Sequence, residues 1–440
     1  MRIARWALAL LLLAPAPASA ELRALAGRDG LRVGFGAQAL PAPEGGPLAG
    51  YGGLRTRTAV GHLDAPEARA VVLENGDARV AIVAVDLVIV RPELRDALRE
   101  HASARGVGTV LVAATHTHSG PGGYLSGWWP ARLTAGTERP GAAGEIADAA
   151  RGALDRALAD RAPARLGAVL GHSALAENRR RDDGPAETDL PVLVARFPGA
   201  RPAREPVVVF AFGAHATVLS PQSRDYSADY VGATRRALGE AGWRALFLPG
   251  PLGDQQPVSA LGPLWPDDLD VQREQVVEIG RALAVAVLES AERAADQETP
   301  HFASAERWLD LPEPRLRRFC PIWWLGPFAG GPIRDFISTR APVQVLRIGP
   351  AWLAGVPAEP SSDVGSELRA ALRAQGAGVP FVIAHANDWT GYVVTPEIYG
   401  AGGYEACMSF HGPGMAAALT EKVAQTARAL DEAQALPEAR

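Results

Sequence analysis

The chain has 440 residues, 48% of them hydrophobic, which is enough to bury a large core and excludes a disordered polymer. Its 44 basic and 49 acidic side chains give a formal charge of -5 and are mixed along the sequence. Without the basic stripe that a phosphate backbone requires, nucleic acid is not an expected partner.

Residues 1–20 read as a secretory leader: Arg2 and Arg5 give a positive start, Trp6 to Leu13 an apolar stretch, and Ala18, Ser19 and Ala20 a small-residue cleavage site. The apolar run is short of the roughly 20 residues that a spanning helix needs, so cleavage near Ala20 and a periplasmic or secreted location are expected. Cys320 and Cys407 could pair in such an oxidising compartment, and two isolated thiols do not make a zinc cluster.

Val71 to Leu73 and Arg79 to Val85 flank an Asn-Gly turn at Asn75 and Gly76, a hairpin signal. Next come a helix started by Pro92 and running to Ala104, a stop at Gly106, and the apolar run Thr109 to Ala114. If the strands either side of this helix are parallel, Asp86 and the residues after Ala114 emerge at one sheet edge, where ligands of open α/β sheets bind. Short β-rich runs recur at Val207 to Phe212, Ala245 to Leu248, Val343 to Ile348, Trp352 to Ala354 and Phe381 to Ala384. Helices are expected at about Gly144 to Asp160, Asp270 to Ala294, Ser362 to Gln375 and Pro413 to Ala433, with a frayed tail from Glu432. The pattern predicts an α/β fold in a single large domain over 21–435, its central mixed and parallel sheets flanked by helices, with a tail at 436–440. The sequence shows no internal repeat.

The chemistry concentrates at strand ends. His116 and His118 follow Thr109 to Ala114 two residues apart, which puts them on one side if the extension continues. His215 follows Val207 to Phe212 in the same way. Two such histidines and one carboxylate give the three protein ligands and open position of a catalytic zinc, which brings bound water to a pKa near 7. Glu359, just after Trp352 to Ala354, is the candidate carboxylate; it reads equally as an acid at a helix N-terminus before Pro360 and Ser361. Arg179 belongs to a run with Arg180 and Arg181, and such runs are commonly solvated. Tyr392 and Tyr404 read, on their own, as ordinary packing residues.

The segment Ala114 to Tyr124, with its Thr-His-Thr-His-Ser-Gly-Pro-Gly-Gly-Tyr run, resembles the signature of the neutral, non-lysosomal ceramidases, and the resemblance extends over nearly the whole chain after the leader. It implies a zinc amidohydrolase whose ligands are His116, His215, Glu359 and Tyr392, the tyrosine opening a Tyr-Val-x-Thr-Pro-Glu segment. By the same resemblance Arg179 and Tyr404 stabilise the oxyanion, and His118 lines the site and carries a proton to the leaving amine. The implied substrate is a lipid amide such as an N-acyl sphingoid base. One departure stands out: Gln256 occupies the place of the family's serine in Gly253 to Pro257. Glutamine is no nucleophile, though its amide can orient a substrate or a water, and this departure keeps open a differently specific or non-catalytic zinc-binding relative. The resemblance covers the catalytic part only, so the family's C-terminal β-sandwich domain is expected to be missing. Phe319 to Gly330, rich in aromatic residues, reads either as core or as a lip for peripheral membrane contact.

Overall fold

The computed structural model describes residues 21–25, 30–52, 56–127, 134–297, 300–317, 320, 333–334 and 336–435. The leader at 1–20, the stretch Phe319 to Gly330 apart from Cys320, and the tail at 436–440 lie outside the described residues. Among the described residues no helix is long and apolar enough to cross a membrane.

Three sheets of five strands each carry the fold. The first contains β1 (Leu31–Ala39), β2 (Glu67–Asn75), β3 (Ala78–Val85) and β4 (Thr109–Ala114), with helices α1 (Pro92–Ser103) and α2 (Ala142–Ala159). The second contains β5 (Arg165–His172), β6 (Asp189–Arg196), β7 (Val207–Phe212) and β8 (Arg244–Pro249), with α3 (Tyr230–Glu240) and α4 (Leu269–Arg293). The third contains β9 (Phe302–Asp310), β10 (Arg340–Ile348), β11 (Ala351–Gly355) and β12 (Val379–Ile383), with α5 (Ser362–Ala374) and α6 (Met415–Ala435). In each unit three antiparallel strands are followed by a helical crossover to a fourth strand, parallel to the third.

The fifth strand of each sheet is lent by the chain segment entering another unit. Ala162–Pro163, just before the second unit, pairs with β1 of the first. Asp296–Gln297, before the third unit, pairs with β5 of the second. Glu21–Leu25, before the first unit, pairs with β9 of the third and closes the cycle. An internal threefold repeat of β-β-β-α-β-α units is therefore present where the sequence shows none. Its physical basis is that burial pattern and topology recur while residue identities do not, because many apolar side chains satisfy the same packing.

Alternation explains how the sheets assemble. In β3, Val80, Ile82 and Ala84 face a core shared with Leu193 and Val209 of the second sheet and Leu346 and Phe381 of the third. The intervening Ala81, Val83 and Val85 face Leu94 and Leu98 of α1 and Ile146 and Leu154 of α2. The second and third sheets bury their outer faces likewise, under Val231 and Ile279 and under Leu368 and Leu419. The inner faces of all three sheets thus form one core, and each outer face is sealed by a helix pair.

The expected parallel pairing of the two strands around α1 is present, from Val80 opposite Thr109 to Val85 opposite Ala114. The strands expected at Val207 to Phe212 and Thr109 to Ala114 have those bounds. The tail expected to fray from Glu432 is helical through Ala435. Cys320 and Cys407 are joined in a disulfide with Cα atoms 5.6 Å apart.

Candidate metal pocket and its cleft

The polypeptide brings the strand-end residues together by three short pairings beyond the main sheets. Thr117 bridges Ala216 in parallel, which aligns the loops after β4 and β7. Glu359–Pro360 pairs in parallel with Tyr392–Val393, so Glu359 lies in register with Tyr392. Gln255–Pro257 pairs with Ala176–Asn178, which brings the Gln256 and Arg179 segments side by side.

His116, His215 and Glu359 are buried, and one ligand atom from each lies within 4.8 Å of the others. Glu359 Oε2 is 3.5 Å from His116 Nε2 and 3.4 Å from His215 Nε2. The tautomers follow from the carbonyls behind the rings. His116 Nδ1 donates to Val88 O at 2.7 Å and His215 Nδ1 donates to Gln255 O at 3.1 Å, which leaves both Nε2 lone pairs facing the pocket. Burial pushes His116 below the ordinary imidazole value, and burial with the Arg179 charge pushes His215 well below it, so both rings are neutral donors at pH 7.

Burial works against the Glu359 carboxylate, yet the neighbouring His116 and His385 and the hydrogen bond from Trp389 outweigh it and hold the group below its ordinary value. Trp389 Nε1 donates to Oε1 at 2.7 Å. Oε2 is buried and has no hydrogen-bond partner among the described residues. An ionised oxygen left bare beside two imidazole lone pairs is what a divalent cation would satisfy. The reading of Glu359 as a helix N-terminal acid does not describe this geometry: α5 starts at Ser362 with Ser361 as its cap residue, and Glu359 faces the histidines.

Tyr392 OH lies 3.0 Å from His215 Nε2 and accepts from Arg179 Nη2 at 3.2 Å. Burial, followed by the Glu359 charge, raises its hydroxyl well above the ordinary value. Arg179 is no solvated member of a run. Its Nε donates to Glu405 Oε1 at 3.0 Å, its Nη2 to Gly253 O at 3.0 Å, and its backbone N–H to Asp254 O at 2.8 Å. Arg180 also pairs with Glu405, so that one carboxylate holds both arginines beside the pocket. Tyr404, next to Glu405, is 59% exposed; its ring meets Tyr392 edge-on at 5.7 Å, which puts it at the mouth.

His118 also reaches the pocket, but by another route than continued extension. His116 adopts the left-handed region at φ 63°, so the strand breaks there. His118 then approaches from the side, with Nε2 at 3.2 Å from His116 Nε2. Gly50, at φ 103°, backs it: a Cβ at that position would lie 2.3 Å from His118 Cα. Burial and the neighbouring His116 and His215 keep His118 well below the ordinary imidazole value. A cleft of about 770 Å³ opens over these groups, lined by Tyr51, His118, Arg179, Gln256, Trp265 and Tyr404. Gln256 is at its side, donating from Nε2 to Glu177 Oε1 at 2.7 Å.

Two pocket residues escape the sequence reading, Trp389 and His385. His385 is fully buried, stacks on His116 at 4.0 Å between ring centroids, and has Nε2 at 3.8 Å from Glu359 Oε1. The signal was the one that marks His116 and His215, a histidine just past a short β-rich run. Behind the pocket, Asp86 accepts from Arg235 at 2.9 and 2.6 Å and from Thr115 Oγ1 at 3.0 Å, which anchors the residue preceding His116.

The fold and the site define an α/β protein in which His116, His215 and Glu359 converge on one pocket that could hold a metal ion. No family model matches the chain. Two curated relatives, the neutral ceramidases of Mycobacterium tuberculosis and Pseudomonas aeruginosa, are each 25% identical to it, over 87% and 88% of this chain and 74% and 70% of theirs. Among solved structures, a ceramidase complexed with C2 superposes with a TM-score of 0.78 at 23% identity, covering 92% of this chain and 75% of that one. The neutral ceramidase of Pseudomonas aeruginosa superposes with a TM-score of 0.76 over the same shares. The chain has the neutral ceramidase fold, and the sequence kinship over most of its length supports the neutral ceramidase family.

Proposed function

We propose that the chain is an exported zinc amidohydrolase that cleaves the amide bond of an N-acyl sphingoid base or a related lipid amide. The observation that carries the reading is the bare Glu359 Oε2 between the two histidine lone pairs, in a chain whose relatives are neutral ceramidases. His116, His215 and Glu359 would hold the zinc, with Tyr392 as the fourth ligand. The metal would supply Lewis acidity for the amide carbonyl and a water that ionises near neutral pH.

The chain's own groups account for the remaining needs of amide hydrolysis. Arg179, fixed by Glu405 and Gly253 O, and Tyr404 at the mouth are donors for the charge that develops on the carbonyl oxygen. His118, neutral and buried beside the pocket, is placed to pass a proton to the leaving amine. Gln256, held by Glu177, offers an amide to orient substrate and cannot form an acyl intermediate. That substitution favours a second reading, in which the preferred substrate is another amide or an ester.

Work outside the cytoplasm is supported by the leader-like first twenty residues and by the Cys320–Cys407 disulfide, which persists in oxidising compartments. A lipid substrate also implies peripheral contact with a membrane. The test is release of fatty acid from a labelled short-chain ceramide by purified protein, with and without a zinc chelator. Chelator-sensitive release that His116→Ala abolishes is the expected result. Zinc-loaded protein that releases no fatty acid from ceramide, yet cleaves other amides or esters, would move the assignment to the second reading.

A further inference from the structure

His385 has no part in the chemistry above, yet it costs the fold more than a core residue should. It is fully buried, and neither Nδ1 nor Nε2 has a hydrogen-bond partner among the described residues. A neutral imidazole carries one N–H and one lone pair, and leaving either dry is unfavourable. The backbone adds to the cost, because His385 is in the left-handed region at φ 50°.

Its placement repeats that of a ligand. His116 is the second residue past β4 and His385 the second past β12, the equivalent strand of the third unit, and both are left-handed. The two strand ends are tied to each other: Ala114 N donates to His385 O at 3.3 Å and Asn387 N to Val112 O at 2.7 Å. The rings stack with planes 23° apart, and each Nε2 faces a different oxygen of Glu359, His116 towards Oε2 and His385 towards Oε1.

We infer that His385 is a positioning residue for Glu359. When metal is bound, its Nε2–H donates to Oε1, shares that oxygen with Trp389 Nε1, and keeps Oε2 turned towards His116 and His215. The inference rests on the metal-pocket reading above. The 3.8 Å separation is too long for a hydrogen bond, so the inference requires it to shorten when the metal is bound. Partners behind a metal ligand set its affinity, and their loss weakens binding by roughly 10–100-fold.

The experiment compares the full chain with His385→Asn and His385→Gln. Asparagine tolerates the left-handed backbone but its amide is too short to reach Oε1, whereas glutamine places an N–H farther out. Zinc affinity is measured by competition with a chromophoric chelator, the visible spectrum is recorded on the cobalt-loaded protein, and the melting temperature is taken without metal. H385N should bind zinc roughly 10–100-fold more weakly and shift the cobalt bands. H385Q should recover part of both, with metal-free melting temperatures alike in the two variants. The inference is overturned if H385N matches the parent in affinity and spectrum, or if both variants weaken equally. A parent chain that binds no zinc would bring down the metal-pocket reading itself, and this inference with it.

Discussion

Arg235→Met removes the cation that neutralises Asp86 and is the sharpest test of how the pocket is supported. Asp86 is fully buried, the Arg235 side chain is 3% exposed, and the guanidinium makes two charge-assisted bonds to the carboxylate at 2.9 and 2.6 Å. Breaking a buried pair from one side leaves an uncompensated charge and costs about 3–5 kcal/mol. Asp86 would keep Thr115 Oγ1 and the Glu67 N–H, at 3.0 and 2.7 Å, which places the loss towards the lower end of that range. Because Thr115 precedes His116, the released carboxylate should also loosen the histidine and weaken zinc binding. Urea denaturation of the metal-free chain gives the stability change, and chelator competition gives the affinity. The double variant Asp86→Asn with Arg235→Met, which buries no charge, should regain at least half of the loss. A single variant within about 1 kcal/mol of the parent, the range of an exposed ion pair, would show that Arg235 does not offset a buried Asp86 charge.

Two further outcomes follow from polar groups around the cleft. Asp229 caps α3 and accepts from Val218, Leu219 and Tyr230 N–H groups, yet burial carries it from the usual carboxyl range to about 6. A raised carboxyl favours the fold at low pH, and that advantage is lost as pH rises from about 4 through 6. The loss amounts to about 3 kcal/mol. Asp229→Asn should therefore gain stability relative to the parent across this window, and a difference independent of pH between 4 and 7 would contradict the account. Gln256→Ala removes the amide that Glu177 orients and should raise KM several-fold with little change in kcat. Equal losses in kcat and kcat/KM would instead place Gln256 in the transition state.

Strand ends were the legible part of this molecule. The runs before His116 and His215 are wholly buried β-rich segments, so their bounds and the exit of each histidine could be taken from hydropathy alone. The hairpin at Asn75 and Gly76 was equally plain. The threefold repeat was not, since it is written in the order of pairing rather than in residue identity, and long-range pairing leaves no local trace. His385 was missed for a related reason: its meaning comes from stacking on His116, which is 269 positions earlier in the chain. Arg179 was singled out only by the family resemblance, because on its own a run of arginines looks solvated until Glu405, far along the sequence, is seen to hold two of them. Tyr392 and Tyr404 had no local signature that separates a ligand from a packing ring, and only their resemblance to a family segment singled them out.

The measurement that bears most directly on the metal pocket is the zinc content of the purified chain by elemental analysis, beside His215→Ala and Glu359→Gln. Close to one tightly held zinc per chain is expected in the parent, with most of it lost in each variant and the variants still folded. Zinc retained at the parent's level in both variants, or absent from a folded parent supplied with the metal, would contradict the metal-pocket reading.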